Sequence, residues 1–279
     1  MSETGARILL EGTHNTRDLG GIPTKDGRHI RPGFFLRTDA LMHLTPEDVL
    51  TLVKDYRPAL DVDFRGPAEI RREGEDKAIP GCRKVSLPIT WDDSVRKSYP
   101  HPEYRIPDPE IQGLYDYLFW ISPVGDAHLG MQGSYRDFVR CKKGQEGYAV
   151  FLDLVLKEGD KGAVLYHCAD GKDRAGVATY LLLSALGVGE EEILKDYLRT
   201  QENVKAIKEK RRDYLLNVVH MGDRTDLVDS LALLAGVDES WLKAAMDEVR
   251  RMGGIEAYLS KNLNFGPEKQ KALRDRCLS

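Results

Sequence analysis

The densest chemistry in the 279-residue chain lies in ten consecutive residues, His167-Cys168-Ala169-Asp170-Gly171-Lys172-Asp173-Arg174-Ala175-Gly176. Cys168 and Arg174 are separated by five residues. A loop of that length can curl successive backbone N–H groups around one anion, and a helix starting near Arg174 adds partial positive charge from its N-terminus. A phosphate fits such a cradle. The same field is expected to pull the thiol from its ordinary pKa of ~8.5 into the roughly 3.5–7.5 range of cysteines at helix N-termini beside cations. Cys168 is then expected to attack phosphorus while the Arg174 guanidinium bonds two equatorial oxygens, and water to hydrolyse the cysteinyl-phosphate. Ala169, Asp170, Gly171 and Lys172 supply the rest of the binding loop.

The leaving oxygen needs a proton and the later water needs a base, so one carboxylate can serve both steps. Asp173, inside the loop, is the favoured candidate. Asp63, at the end of a predicted strand, is the alternative, and Asp92 and Asp93 follow another strand. His167 is expected to support the loop. A cysteine after an apolar strand is ordinarily just a small buried side chain. Here its conjunction with two glycines, two basic residues and a buried helix points to catalysis. Gly171-Lys172 lacks the glycine spacing and following hydroxyl of a nucleotide loop. Cys82, Cys141 and Cys277 have no such loop around them and read as bystanders.

Positioning this loop requires a strand before it and a helix after it, and the sequence provides both. Residues 163–166 are apolar throughout, as in a strand buried on both faces, and 175–186 are apolar nearly all round before Gly187, which marks a central helix with a glycine C-cap. Upstream, Asp26-Gly27 predicts a hairpin turn, Thr45-Pro46-Glu47-Asp48 starts a helix to about residue 56, and 59–64 and 83–87 alternate as short strands. Residues 91–109, with four prolines, read as a long loop. Helices are predicted over 132–142, 147–157, 190–200, 202–220, 226–234 and 240–252, with Ser240 capping the last. The class is therefore α/β with a mainly parallel sheet, and no linker divides residues 1–279, so a single domain is expected.

With 41 Lys+Arg against 45 Asp+Glu, the net charge is −4. No bulk positive field exists to hold nucleic acid, so an anionic substrate must be recognised locally. The four scattered cysteines form no metal-ligand grouping and suggest a reduced, cytoplasmic setting, with no metal or cofactor expected. No segment reads as a signal peptide or a membrane span. Export without a cleavable signal stays open.

At these residues the chain resembles the bacterial atypical tyrosine-phosphatase family, whose loop reads His-Cys-x-x-Gly-Lys-Asp-Arg-Thr-Gly and whose members include dual-specificity and phosphoinositide phosphatases. The resemblance extends to residues 15–21 and 37–41, to Asp63-Phe64-Arg65 followed by Glu69, to Asp196-Tyr197-Leu198 and to Tyr258-Leu259. It implies a cysteine-phosphatase-like fold, no metal, a lid formed by C-terminal helices, and Cys168, Lys172, Asp173 and Arg174 as working residues, with Lys172 engaging phosphotyrosine or extra phosphates. Two departures stand out. Ala175 replaces a hydroxyl residue that would stabilise the departing thiolate, which predicts slow breakdown of the phosphoenzyme. Asp170 partly offsets Lys172, which disfavours highly charged inositol phosphates.

The expected function is hydrolysis of phosphomonoesters, phosphotyrosine foremost and phosphoserine, phosphothreonine or phosphoinositides next. The alternative is a catalytically weak module that holds a phosphorylated protein or lipid. Sulfur transfer and arsenate reduction also use such loops, but arsenate reduction calls for further redox cysteines near the nucleophile. Oligomeric state is not legible in the sequence.

Overall fold

The protein is described by a computed structural model over residues 5–90, 106–159 and 161–279. Strands β1 (Arg17–Asp18) and β2 (Phe35–Thr38) precede helix α1 (Pro46–Thr51), which continues as a π-helical turn over Leu52–Tyr56. Then come β3 (Pro58–Asp63), α2 (Pro67–Glu73), β4 (Arg83–Ser86), α3 (Pro109–Ile121), α4 (Ala127–Arg140), α5 (Lys142–Glu158) and β5 (Ala163–His167). Helices α6 (Arg174–Leu186), α7 (Glu190–Asn203), α8 (Lys205–Asn217), α9 (Thr225–Leu233), α10 (Glu239–Arg251), α11 (Ile255–Ala257) and α12 (Pro267–Cys277) complete the order.

The sheet order is β1-β2-β5-β3-β4, with β1 antiparallel to β2 and every other pairing parallel. The apolar run of β5 thus occupies the centre, flanked on both sides and buried along its length. One sheet face packs against α6 and the helices around it, and the other against α1 and the chain near Leu41 and Leu44. Register places Thr38 and Asp63 on either side of His167. The carboxyl ends of three parallel strands therefore open into one crevice, where ligands of open α/β sheets bind.

Helix α6 is buried around nearly its whole circumference and ends at Gly187, whose φ of 86° requires the left-handed conformation that glycine adopts without strain. Leu181, Leu182 and Leu183 are fully buried, and each stabilises the packed helix by roughly 1.5–3 kcal/mol relative to an exposed side chain. This packing holds the α6 N-terminus at the crevice. Thr45 and Asp48 form a reciprocal capping box on α1, as the sequence indicated.

Three expectations change. The predicted loop over 91–109 lies largely outside the described residues, but Asp108 and Pro109 prove to be the cap and first residue of α3. The cap of α10 is Asp238, whose carboxylate accepts from Ser240 N–H at 2.9 Å, not Ser240 itself. Strand β2 escaped notice because Arg37, in its middle, breaks the apolar pattern although it is fully buried. Among the described residues no helix is long and apolar enough to cross a membrane.

Candidate active site

Residues 168–173 join β5 to α6 as an abrupt loop. Gly171 has a φ of 62°, and a Cβ there would lie 2.1 Å from the Thr38 carbonyl oxygen. Only glycine lets the loop press this closely on the end of β2. Cys168 is buried, and its sulfur accepts the Ala175 N–H from the first turn of α6.

Arg174 shows the most instructive geometry. Its Nη1 and Nη2 donate to Glu69 Oε2 and Oε1 at 2.7 and 2.6 Å, and Nη1 also donates to the Phe64 carbonyl at 3.3 Å. A guanidinium has five N–H donors in a fixed plane. Among the described residues the two that remain, on Nε and on Nη2, have no partner; they lie parallel along one edge and match two oxygens of a phosphate. Glu69 therefore fixes the plane of the arginine without occupying its phosphate-binding edge. Glu69 also accepts the Gly66 N–H at 2.8 Å, and Arg174 outweighs the effect of burial to hold its carboxyl below the usual range.

Asp173 Oδ1 accepts from Tyr135 Oη at 2.8 Å, and Tyr135 Oη lies 2.6 Å from Tyr197 Oη. Burial raises the Asp173 carboxyl above its ordinary value, against the pull of Lys172. Asp63 sits differently. It is fully buried, it bonds Arg65 at 2.9 Å through Oδ2, and its Oδ1 also accepts the Arg65 N–H. Asp92 and Asp93 lie outside the described residues.

Lys172 does not face open solvent. Its side chain is 3% exposed, and its ammonium donates to the carbonyls of Leu234 and Gly236, the latter at 3.2 Å. It thereby ties the loop to the turn between α9 and α10, while Asp170 and Asp173 approach it at 3.7 and 3.9 Å. Asp170 is 65% exposed at the mouth, and Ala169 is half-buried.

His167 Nδ1 lies 3.0 Å from the Cys168 carbonyl, and Nε2 lies 3.3 and 3.5 Å from Asp61 and Asp76. Burial opposes protonation, but Asp61, Asp63 and Asp76 outweigh it and push the imidazole up to about 9. Asp61, Asp76 and His167 bring ligand-type atoms within 4.8 Å of one another. Arg65 and Lys84, however, both already bond Asp76 Oδ2 at 2.8 Å, so the cluster reads as a buried ion-pair network.

The expected low thiol pKa needs correction. Burial pushes the Cys168 thiol up; Arg174 and the Ala175 N–H pull it down, and Asp173 and Asp170 reinforce the rise. The physical reason is that desolvation of the buried sulfur, which the expectation left out, exceeds the pull of Arg174 and of the Ala175 N–H.

Glu69, Tyr135, Arg37 and Asn15 had no role assigned from sequence reasoning. Glu69, Arg37 and Asn15 lie inside the motifs noted upstream, and that was the available signal; Tyr135 carried none. Cys141 caps α5 by accepting Gly144 N–H at 3.3 Å, and Cys82 and Cys277 are free thiols raised by burial to about 12.

Residues 8–279 match the sequence model of the tyrosine phosphatase family. A provisionally named tyrosine-protein phosphatase of Cupriavidus necator is 28% identical over 197 residues, which cover 70% of this chain and 63% of that protein. The chain thus spans less than two thirds of that relative's length. The triple specificity protein phosphatase PtpB of Mycobacterium tuberculosis is 28% identical over 210 residues, 71% of each chain. A tyrosine-protein phosphatase of Nostoc commune is 31% identical over 118 residues, 41% of this chain and 39% of that one.

Proposed function

Because the chain belongs to the tyrosine phosphatase family, we propose that it is a cysteine-dependent phosphomonoesterase, acting as a single catalytic domain on phosphotyrosine and related phosphoesters. The observation that carries this reading is the free Nε/Nη2 edge of Arg174, held by Glu69 beside a thiol that already accepts an N–H from α6. Cys168 sulfur attacks phosphorus as the ester P–O bond breaks. Arg174 and the loop N–H groups stabilise the charge on the equatorial oxygens. Asp173 gives its proton to the leaving oxygen and, as carboxylate, then takes one from the water that cleaves the S–P bond. Tyr135 orients it for both steps. Asp63 is the weaker candidate, since Arg65 holds it closed. A reducing compartment, the cytoplasm, suits a thiol nucleophile.

The test is phosphate release from an aryl phosphate, a phosphoserine peptide and a phosphoinositide, by the wild type and by Asp173→Asn. We expect the aryl phosphate to be turned over fastest and the variant to be slower by about 10²–10⁴-fold. The pH profile separates the roles. Thiolate is required, so kcat/KM rises with pH; protonated Asp173 is also required, so the profile levels off and then falls once pH exceeds both raised values. Asp173→Asn should lose that falling limb and retain the rising one. Absence of release from all three substrates by the wild type would defeat the enzyme reading in favour of the binding module, which the raised Cys168 thiol and Ala175 otherwise favour.

Ala175 is fully buried against the nucleophile and offers it only a backbone N–H. Breakdown of the phosphoenzyme should therefore limit turnover. Rapid-quench kinetics on the wild type should show a burst of about one equivalent of released alcohol. A hydroxyl in Ala175→Thr should shrink the burst and raise kcat, whereas an unchanged steady-state rate would contradict the assigned slow step.

A further inference from the structure

We propose that Arg37, buried beneath the loop and out of reach of substrate, is a positioning residue that pre-forms the phosphate cradle, assisted by Asn15. The inference rests on the reading of the loop as a phosphate site. It assigns the orientation of the loop's peptide planes to two named side chains.

Every carbonyl from residue 168 to residue 172 has a donor on its outer side. Cys168 O lies 3.0 Å from His167 Nδ1, and Ala169 O accepts Ala40 N–H at 2.9 Å. Asn15 Nδ2 lies 3.2 Å from both Asp170 O and Gly171 O. Arg37 donates from Nε to Gly171 O at 2.8 Å and from Nη2 to Lys172 O at 3.0 Å. The peptide bonds of the loop are all trans. In a trans peptide the C=O of one residue and the N–H of the next point in opposite directions. Holding the carbonyls of Gly171 and Lys172 outward therefore turns the N–H groups of Lys172 and Asp173 inward. A loop freed of these donors can present a carbonyl oxygen to the phosphate, which repels it.

The arrangement also explains an expensive feature of the interior. Arg17 and Arg37 share one carboxylate, Asp196, at 2.8 and 3.0 Å, and all three side chains are essentially unexposed. One positive charge is left over. Burying unbalanced charge is costly, and burial makes the Arg37 guanidinium harder to keep protonated. Its Nε and Nη2 make no contact with the carboxylate and both go to the loop. The parallel register of β2 on β5, with Arg37 opposite Tyr166, places it there.

The comparison that decides is Arg37→Lys against Arg17→Lys. Both keep a positive charge beside Asp196, and only the first loses a planar fork that reaches two loop carbonyls. The probe is inorganic tungstate, a tetrahedral oxyanion, titrated by calorimetry into each folded variant, with thermal melting and kcat/KM on an aryl phosphate measured alongside. Arg37→Lys should weaken tungstate binding at least about tenfold and lower kcat/KM by about 100-fold, the scale of a 1 Å misplacement. Arg17→Lys should lose comparable thermal stability yet weaken tungstate binding by no more than about threefold, since its fork reaches the loop only through Asn15, whose Oδ1 accepts from Arg17 Nη1 at 2.9 Å. Equal weakening in both variants, or none in Arg37→Lys, overturns the proposal. If Arg37→Lys does not fold, Asn15→Ala decides: tungstate bound as tightly as by wild type overturns it, and weakened binding sustains it. If the wild type binds tungstate but releases no phosphate, the enzymatic reading fails while the tungstate comparison still judges the cradle.

Discussion

Cys168→Ser should lower phosphate release by on the order of 10⁴-fold or more, the scale on which removal of a catalytic nucleophile acts, while the protein still binds oxyanions. A serine hydroxyl needs a base to become a nucleophile, and the loop provides none in position. His167 Nε2 is held by Asp61 and Asp76, its Nδ1 faces the Cys168 carbonyl, and Asp173 is bonded to Tyr135. A thiol escapes this requirement because it ionises at accessible pH even when burial raises it. The N–H groups and Arg174 are untouched by the change, so tungstate affinity should stay within a few-fold of wild type and phosphorylated substrates should be retained without turnover. Initial rates together with oxyanion calorimetry test both halves. More than about 1% residual turnover would mean that a group other than this thiol attacks phosphorus.

Arg174→Lys should cost about 10³-fold in kcat with a smaller effect on KM. An ammonium keeps the charge but presents no planar pair of donors, so it cannot bond two equatorial oxygens and the two Glu69 oxygens at once. Removal of a single oxyanion donor costs about 10²–10³-fold, and the lysine forfeits one such donor along with its alignment. Glu69→Gln provides the graded comparison. Its amide still accepts one guanidinium N–H, so Arg174 keeps its side chain and loses only part of its anchor, and a loss of about tenfold is expected. If Arg174→Lys were no worse than Glu69→Gln, the arginine would be acting as a bulk charge and not as a fork.

How much of this was legible beforehand differs from residue to residue. The Thr45 cap, the Asp-Gly turn and the Gly187 stop are local signals, and each stands where the sequence placed it. Strand β2 was not legible because a buried arginine mimics a surface position in any hydropathy pattern. Lys172, which the family resemblance implies as a substrate contact, is anchored to two carbonyls more than sixty positions away, a tie that no local pattern shows. The rise of the Cys168 thiol has a related cause: Arg174 and the helix N-terminus are visible in the sequence, whereas the depth of burial that dominates is not.

The loop, the cysteine proposed as its nucleophile and its position between a buried strand and a buried helix are all written in the local sequence. All of these follow from side-chain chemistry and backbone preference within about two dozen consecutive residues. Which carboxylate fixes Arg174, which tyrosine holds Asp173 and which side chains turn the loop's peptide planes are set by the tertiary fold. Those partners come from positions 105, 38, and 134 to 156 residues distant. The reason is one of range. Hydrogen bonds and ion pairs act over a few ångströms, so their partners are chosen by strand register and helix packing, which no local pattern encodes.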